Sequence, residues 1–465
     1  MSRNEFGMGK IRKVSSIIAQ LCMSRVICMD DVTGGYNWFY FKNHGEKMLE
    51  KAKKKNRKYA LLDVQYTKYR NYSTCYGGDA GERLLSNINR LIAEYIEHDE
   101  LCAHYSKANF CVLMRFDEEK KLRKRVEKLA DILESGGEHQ KLKFHIGVSI
   151  ATDKEIPQNH EHGKWSTRIE HFYNHACIAR ASIQEQEDRR VVLFDGRLLE
   201  QHLWNNKIEE MMEDSLKNNE FKIYLQAKYS PSGEKLMGAE ALVRWVNNEN
   251  GVITPDSFIP IFEQNGFITK LDDYMISGVA GLIADWISMG KEVVTISVNV
   301  SRAHFIDPNL AKHICDLVDR YHIPHNTIEF ELTESAFFDD KRRIIETVKE
   351  LQSNGFSVSM DDFGSGYSSL NSLKNLPLNV LKLDAEFFRG DDNEKRGKII
   401  VAEAIDLAKK LNMKVVAEGI EKEEQVKFLA KQKCDMIQGY FFAKPEPVKE
   451  FESRHLQKIQ KIQKM

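Results

Sequence analysis

The feature that most constrains the fold is a regular alternation of short β-rich strings and helix-like segments in the C-terminal half of the chain. Eight such strings occur in order, at 222–231, 237–245, 293–301, 328–335, 356–362, 380–384, 414–421 and 434–442. Between most of them apolar residues recur with a helical period, as in residues 344–351, after which Gly355 provides a helix stop. This rhythm predicts an α/β fold, a (β/α)8 or TIM-like barrel.

One connection departs from this rhythm. The first two strings are separated only by "PSGEK", residues 231–235, which is too short for a crossover helix. The link must therefore be a hairpin, and the first strand must run antiparallel to the second. We expect an irregular barrel with an antiparallel first strand.

The N-terminal half reads as a smaller α/β unit. Strand-like strings lie at 58–66, 109–116 and 144–151, a helix-like string lies at 81–96, and "RRVVLFD" at 189–195 closes the unit. The predicted organisation is an N-terminal segment 1–29, a domain at 30–195, a connecting helix 196–220, a barrel domain at 205–450 and a tail 451–465.

Charge and cysteine usage exclude several classes of protein. The chain has 68 Lys and Arg against 69 Asp and Glu, a net charge of −1, which argues against binding nucleic acid polymers through a general positive field. None of the eight cysteines forms a C-x-x-C pair, so reduced thiols in a cytoplasmic protein are expected. No uncharged apolar run reaches the ~18 residues of a membrane span, so no membrane segment is expected in this chain.

Polar residues occur at the ends of seven consecutive strands of the predicted barrel. They are Glu240, Asn299, Glu331, the pair Asp361 and Asp362, Lys382, Glu418 and Gln438. In a barrel of this type the C-terminal strand ends share one rim, where functional side chains lie. Each residue taken singly has a structural explanation, such as a rim salt bridge or a turn. Together, five carboxylates on one rim would repel one another unless cations held them.

The donor types indicate which cations these would be. Carboxylate and amide oxygens, without Cys or His, select Mg²⁺ or Mn²⁺ rather than zinc. Five carboxylates exceed the need of one ion, so we expect two ions sharing Asp361 or its neighbour. Two such ions about 3.5–4 Å apart suit phosphodiester hydrolysis, because they lower the pKa of a water and stabilise an in-line transition state.

Seven motifs in this half carry a resemblance to a known family. In order they are "GAEALVRW", "VNVS", "ELTESA", "DDFGSGYSSL", "LKLD", "VAEGIE" and "QGYFFAKP". Over about residues 205–450 the chain resembles the EAL-domain cyclic di-GMP phosphodiesterases. The resemblance implies hydrolysis of cyclic di-GMP to linear pGpG on two Mg²⁺ or Mn²⁺ ions.

The resemblance also implies roles for individual residues. One metal would be held by Glu240, Asn299, Glu331 and Asp361, and the second by Asp361, Asp362 and Glu418. Lys382 would orient and polarise the attacking water, so that the catalytic residues are Lys382, Glu240, Asp361 and Glu418. Arg244 would contact phosphate, Gln226 the ligand, and Gln438 would lie beside the site. Glu334 would fix the loop 363–369.

The chain departs from the family pattern on its first strand. The usual Gln-Pro-Ile is Gln226-Ala227-Lys228 here, a change that bears on substrate affinity and removes no predicted metal ligand. The alternative function is that of a non-catalytic cyclic di-GMP receptor, a signalling module. Such receptors lack some metal ligands or the lysine, whereas this chain has all of them.

The N-terminal unit resembles a GGDEF domain, beginning near "DDVTGGYNWFYF" and ending near "RRVVLFD". Gly77, Gly78 and Asp79 imitate the signature, but the position of the signature hairpin is taken by residues 106–110, "SKANF". Asp63 matches the first metal aspartate, and its usual acidic partner is replaced by Gln65. We therefore expect a degenerate domain without cyclase activity. Whether it binds GTP as a regulator or serves in dimerisation stays open, and a homodimer is expected.

Overall fold

The computed structural model describes residues 27–137, 141–151, 168–184, 189–333, 341–364, 373, 376–388 and 394–456. The chain divides into two compact units, residues 1–204 and 205–465, and the division falls within one long helix.

The first unit is built on a five-stranded sheet with the order β2-β3-β1-β4-β5. Its strands are β1 (Lys58–Tyr66), β2 (Leu101–Ser106), β3 (Asn109–Phe116), β4 (Phe144–Ala151) and β5 (Val191–Leu193). Its helices are α1 (Trp38–Lys54), α2 (Tyr69–Tyr76), α3 (Gly78–Tyr95), α4 (Glu119–Ser135) and α5 (Arg168–Ala181), followed by the dividing helix α6 (Gly196–Lys217). The sheet is antiparallel except for the β4–β5 pair.

The central strand β1 is buried on both faces. Because side chains alternate along a strand, Leu62 and Val64 enter one hydrophobic cluster while Tyr59 and Leu61 enter the other. Asp63 lies on the same face as Tyr59 and Leu61 and is fully buried. A carboxylate at this position needs a cationic or hydrogen-bonding partner.

The segment predicted at the position of the signature hairpin is indeed a hairpin. Strands β2 and β3 pair antiparallel, and Lys107 between them has a φ of 50°, in the left-handed region. The turn is thus made by a residue with a side chain, at a place where the GGDEF family pattern has glycines.

The second unit is a closed barrel of eight strands. These are β6 (Phe221–Tyr229), β7 (Leu236–Asn247), β9 (Thr295–Asn299), β10 (Ile328–Thr333), β11 (Ser357–Phe363), β12 (Val380–Leu383), β13 (Lys414–Ala417) and β14 (Met436–Gln438). Two short strands, β8 (Gly251–Ile253) and β15 (Glu446–Pro447), add to β7 and β6. Strand β6 runs antiparallel to both β7 and β14, and the other neighbours in the barrel are parallel. The predicted irregular barrel with an antiparallel first strand is confirmed.

Helices connect most of the parallel strands. They are α7 (Pro255–Asn265), α8 (Ile268–Ser288), α9 (Leu310–Val318), α10 (Lys341–Ser353), α11 (Glu394–Lys410) and α12 (Glu423–Lys431), and a further short helix, α13 (Val448–Phe451), follows β15. A short 3-10 turn, Arg302–Ile306, precedes α9. Within the described residues, no helix combines the length and apolar character needed to cross a membrane.

The strand β10 shows how the barrel positions charge. Phe330 and Leu332 on one face are fully buried, and burying side chains of this size stabilises the fold by about 1.5–3 kcal/mol each. Glu329 and Glu331 point to the other face. Since Glu331 contacts Lys228 of β6 and Lys382 of β12, that face is the barrel interior. The barrel interior therefore contains buried charged side chains, each of which requires a partner of opposite charge.

Candidate active site at the barrel mouth

The polar residues predicted at the strand ends lie on neighbouring strands of the barrel. Glu240 is on β7, Asn299 ends β9, Glu331 is on β10, Asp361 and Asp362 are on β11, Lys382 is on β12, Glu418 directly follows β13, and Gln438 ends β14. The register places Asn299 directly beside Glu331, and Thr333 of β10 beside Asp361. The parallel strands thus carry these groups to one mouth of the barrel.

Lys382 is the centre of this arrangement and is fully buried. Its Nζ lies 2.6 Å from Oε2 of Glu331, 2.7 Å from Oε1 of Glu418, 2.9 Å from Oδ1 of Asp361 and 3.5 Å from Oε2 of Glu240. Burial lowers the pKa of Lys382, but Asp361, Glu240 and the other carboxylates raise it more, so that it ends well above its ordinary value. The side chain stays an ammonium ion.

A second buried lysine, Lys228, is not among the site residues predicted from the sequence. Its Nζ lies 2.9 Å from Oε1 of Glu331 and 2.7 Å from Oγ of Ser297. Burial raises the pKa of Glu331, yet Lys228 and Lys382 outweigh this and lower it to about 2. Lys228 lies two residues after Gln226 on β6. Because side chains alternate along a strand, this spacing places both side chains on the same face and is the sequence signal that Lys228 faces the interior.

Glu240 is held by two side-chain amides. Nδ2 of Asn299 donates to its Oε1 over 3.1 Å, and Nε2 of Gln438 donates to its Oε2 over 2.5 Å. Gln438 also donates to Oε1 of Gln226 over 3.0 Å, and Gln226 donates to the carbonyl oxygen of Ala443. Burial and the neighbouring carboxylates raise the pKa of Glu240. The amides fix the orientation of this carboxyl group.

The adjacent aspartates owe their placement to an irregular backbone. In a regular strand Asp361 and Asp362 would point to opposite faces. Asp362 has a φ of 56°, and the pairing of β11 with β12 shifts register between Met360 and Phe363. As a result, one oxygen from each of Asp361, Asp362 and Glu418 lies within 4.8 Å of the others. Burial and the charge of Asp361 raise the pKa of Asp362 to about 7.

This trio fits a hard cation. Its donors are all carboxylate oxygens, the type that Mg²⁺ and Mn²⁺ bind. Oε1 of Glu418 is buried and accepts no hydrogen bond, although Lys382 lies at ion-pair distance from it. Burial and the neighbouring carboxylates raise the pKa of Glu418 well above its ordinary value despite the opposing effect of Lys382. A bound cation would relieve that imbalance.

One predicted residue, Arg244, makes no contact with the cluster in the described part of the chain. Arg244 lies four residues beyond Glu240 on β7, donates to the carbonyl oxygen of Val243 over 2.8 Å and sits over the ring of Tyr224 at 5.7 Å. None of the contacts that the described residues make joins Arg244 to a carboxylate of the mouth. Glu334, and most of the loop 363–369, lie outside the described residues.

In the first unit, Asp63 already has a cation from the chain itself. Nε of Arg180 lies 2.5 Å from its Oδ2, and the hydroxyl of Tyr173 donates to its Oδ1 over 3.1 Å. Nη1 of Arg180 also donates to Oε1 of Gln65 over 2.6 Å. The guanidinium group thus neutralises the carboxylate that the family resemblance assigns to a metal ion. Arg180 was not predicted, because it is distant in sequence.

Comparison with protein families matches two stretches of the chain. Residues 209–445, about half of its length, match the EAL domain. Residues 27–165 match the family described as diguanylate cyclase, GGDEF domain.

Curated relatives combine both stretches. The chain is 26% identical over 423 residues to the "Cyclic di-GMP phosphodiesterase NbdA" of Pseudomonas aeruginosa, covering 90% of this chain and 53% of that protein. It is 28% identical over 403 residues to the "Cyclic di-GMP phosphodiesterase PdeR" of Escherichia coli K12, covering 85% and 59% respectively. The chain therefore spans between half and two thirds of the length of these relatives.

Solved structures match the barrel and the two-unit chain. The "PaMucR Phosphodiesterase, c-di-GMP complex" is 29% identical, with a TM-score of 0.50, and covers 53% of this chain and 99% of that one. The "S helix-GGDEF-EAL" structure of LapD from Vibrio cholerae has a TM-score of 0.53 over 93% of this chain and all of that one. At 18% identity the latter shows likeness of fold alone.

Proposed function

The chain belongs to the EAL domain family, and from this membership and the geometry of the barrel mouth we propose that it is a metal-dependent phosphodiesterase that hydrolyses cyclic di-GMP to linear pGpG. The observation that carries the proposal is the convergence of carboxylates from four strands on the Nζ of Lys382, within 2.6–3.5 Å. Relatives named as cyclic di-GMP phosphodiesterases indicate the substrate.

The proposed metal ligands are those expected from the sequence. Glu240, Asn299, Glu331 and Asp361 would hold one Mg²⁺ or Mn²⁺ ion, and Asp361, Asp362 and Glu418 the other. Such ions, when bound, would lower the pKa of an attacking water and offset charge on the scissile phosphate. The oxygen-only donor set, the closeness of Asp361, Asp362 and Glu418, and the raised pKa of Glu418 support this assignment.

The chain's own side chains would position the reactants. Lys382 keeps its proton and is fixed by its carboxylate partners, so it can orient and polarise a water at the mouth. Gln438 holds Glu240 in place and contacts Gln226, which would in turn contact the ligand. The fork of Arg244 suits a phosphate oxygen pair. Glu334 would fix the loop 363–369.

Hydrolysis is favoured over the receptor function because no predicted metal ligand is missing and Lys382 is present. The deciding experiment incubates the purified protein with cyclic di-GMP and Mg²⁺ or Mn²⁺ and separates the products by chromatography. We expect pGpG from the unmodified protein and none from Glu240→Gln, whereas Glu423→Gln, at an exposed carboxylate paired with Lys427, should be fully active. Tight binding of cyclic di-GMP without pGpG would establish the receptor function instead.

We propose further that the first unit is an inactive, regulatory GGDEF domain within a homodimer. The pairing of Asp63 with Arg180 supports the absence of cyclase activity, because Asp63 is the carboxylate that the family resemblance assigns to a metal ion. Cyclase activity is best measured in the Glu240→Gln variant, which would not degrade the product. Incubation with Mg²⁺ and GTP should give no cyclic di-GMP, while equilibrium dialysis measures GTP binding and sedimentation measures the oligomeric state.

A further inference from the structure

A second group of potential metal ligands lies in the barrel unit, apart from the carboxylates of the mouth. Asp273 is on α8, His304 is in the 3-10 turn after β9, and His313 is on α9. Nε2 of His313 lies 2.9 Å from Oδ1 of Asp273, and Nε2 of His304 lies 3.4 Å from the same oxygen. One ligand atom from each residue lies within 4.8 Å of the others. We infer that this group binds a divalent transition-metal ion of the zinc class.

The buried histidine is oriented as metal-bound histidines are. Nδ1 of His304 lies 3.2 Å from Oδ2 of Asp272, which also accepts the backbone N–H of Ser301 over 2.9 Å. Histidines that bind metals usually donate their other ring nitrogen to a carboxylate, which fixes the ring and its tautomer. With Nδ1–H given to Asp272, the lone pair of Nε2 faces Asp273. Two acceptors so placed repel each other unless a cation joins them.

Some cation is therefore required at this point of the structure. A proton on Nε2 of His304, which would make an ion pair with Asp273, is the alternative to a metal ion. A metal ion held by both imidazoles and Asp273 would replace that proton and would also use His313. If no metal ion binds, the two histidines and the aspartates form a network of ion pairs instead.

The donor set distinguishes this group from the mouth of the barrel. Two imidazoles and one carboxylate match the three-ligand sites of zinc, with a further position left for water. The mouth contains oxygen donors and no histidine among its predicted ligands, so Mg²⁺ should prefer it. Ser301 and His304 follow Asn299 closely on the chain, so an ion bound here would tie the end of β9 to α8 and α9.

The test uses Co²⁺ as a spectroscopic substitute for zinc, with the untagged full chain in excess Mg²⁺ to saturate the oxygen sites. We expect one Co²⁺ per chain with visible absorption typical of nitrogen ligation, and competition by Zn²⁺. His313→Gln should weaken Co²⁺ binding by at least about tenfold, and Asp272→Asn, which disturbs the orientation of His304, by about 10–100-fold.

The matched control is His325→Gln. His325 also pairs with a single aspartate, Asp319, over 2.8 Å, but among the described residues no second imidazole pairs with that carboxylate, so replacement of His325 should leave Co²⁺ binding unchanged. His313 is partly exposed and its replacement should fold, which circular dichroism verifies. Absence of the nitrogen-ligated signal, or an equal signal in His313→Gln, would show that the group is an ion-pair network and would overturn the inference.

Discussion

The ammonium nitrogen of Lys382 lies 2.6 Å from Oε2 of Glu331, and both side chains are almost wholly shielded from solvent. Because Lys228 holds the other oxygen of Glu331, this one carboxylate has two cationic partners. Lys382 also lies within ion-pair distance of Asp361, Glu418 and Glu240. Counting Asp362, five carboxyl groups face two ammonium groups, and burial together with this shortage of positive charge raises the pKa of Glu240, Glu418 and Asp362.

Replacing Lys382 by Met should destabilise the metal-free protein strongly. Removing one partner of a buried ion pair costs about 3–5 kcal/mol, because the charges left behind are uncompensated. Mn²⁺ should restore much of this loss, since it supplies positive charge to the same carboxylates. The measurement is denaturant unfolding in EDTA and in Mn²⁺. Lys312→Met, which removes an exposed pair with Asp316, should show no such difference. Equal stability of Lys382→Met and the unmodified protein in EDTA would contradict the prediction.

Replacing Lys228 by Met should tighten the binding of Mn²⁺. The substitution removes a positive charge 2.9 Å from Oε1 of Glu331, a proposed metal ligand, and keeps a side chain of similar length. We expect the dissociation constant to fall by roughly tenfold, the equivalent of about 1.4 kcal/mol, in isothermal titration calorimetry. Lys312→Met, which removes a positive charge from an exposed pair with Asp316, should leave the constant unchanged. Weaker binding in Lys228→Met would mean that the lysine mainly orients Glu331.

The raised pKa of Asp362 should make the metal-free protein less stable as pH rises. The folded pKa of about 7 exceeds the ordinary 3.8, so the folded state binds this proton more tightly than the unfolded state. The contribution of this group is therefore most favourable below pH 3.8 and declines as the pH approaches 7. Asp362→Asn, which cannot ionise and tolerates a positive φ, should flatten the stability curve between pH 5 and 7 in EDTA.

Thermal unfolding across this pH range measures the slope. Asp316→Asn is the control. Lys312 lowers the pKa of this exposed carboxyl group below 3.8, so its titration affects stability only at a pH below that value and should not change the slope between pH 5 and 7. Saturating Mn²⁺ should also flatten the curve of the unmodified protein. Parallel curves for Asp362→Asn and the unmodified protein would refute the proposed titration.

Replacing Arg180 by Met should destabilise the first unit, because Asp63 is fully buried and Arg180 is its ion-pair partner. A loss of about 3–5 kcal/mol is expected in denaturant unfolding. Adding Asp63→Asn removes the unpaired charge and should recover a large part of that loss. If the two substitutions are instead additive, the pair contributes no coupling energy.

The fold was largely predictable because its signals are local. Strand and helix periods in the C-terminal half indicate the barrel, and the short "PSGEK" link indicates the antiparallel first strand. The site carboxylates were predictable because a parallel barrel brings its strand ends to one rim.

The residues that were not predicted from the sequence, Lys228 and Arg180, make contacts that depend on the long-range register of the strands. Lys228 reaches Glu331 across the barrel, 103 positions away in sequence, and Arg180 reaches Asp63 across 117 positions. Nothing in the neighbouring sequence of either cation reveals its partner. The irregular backbone at Asp362 could not be predicted from local periodicity either, because the alternation of side chains along a strand predicts opposite faces for adjacent aspartates.

The guanidinium of Arg180 joins two positions of strand β1 to a single cation, Asp63 and Gln65. Removing the arginine alone would leave a buried anion without its ion-pair partner. Engineering a metal site at Asp63 would therefore require the replacement of Arg180 and the introduction of a new ligand in the same step.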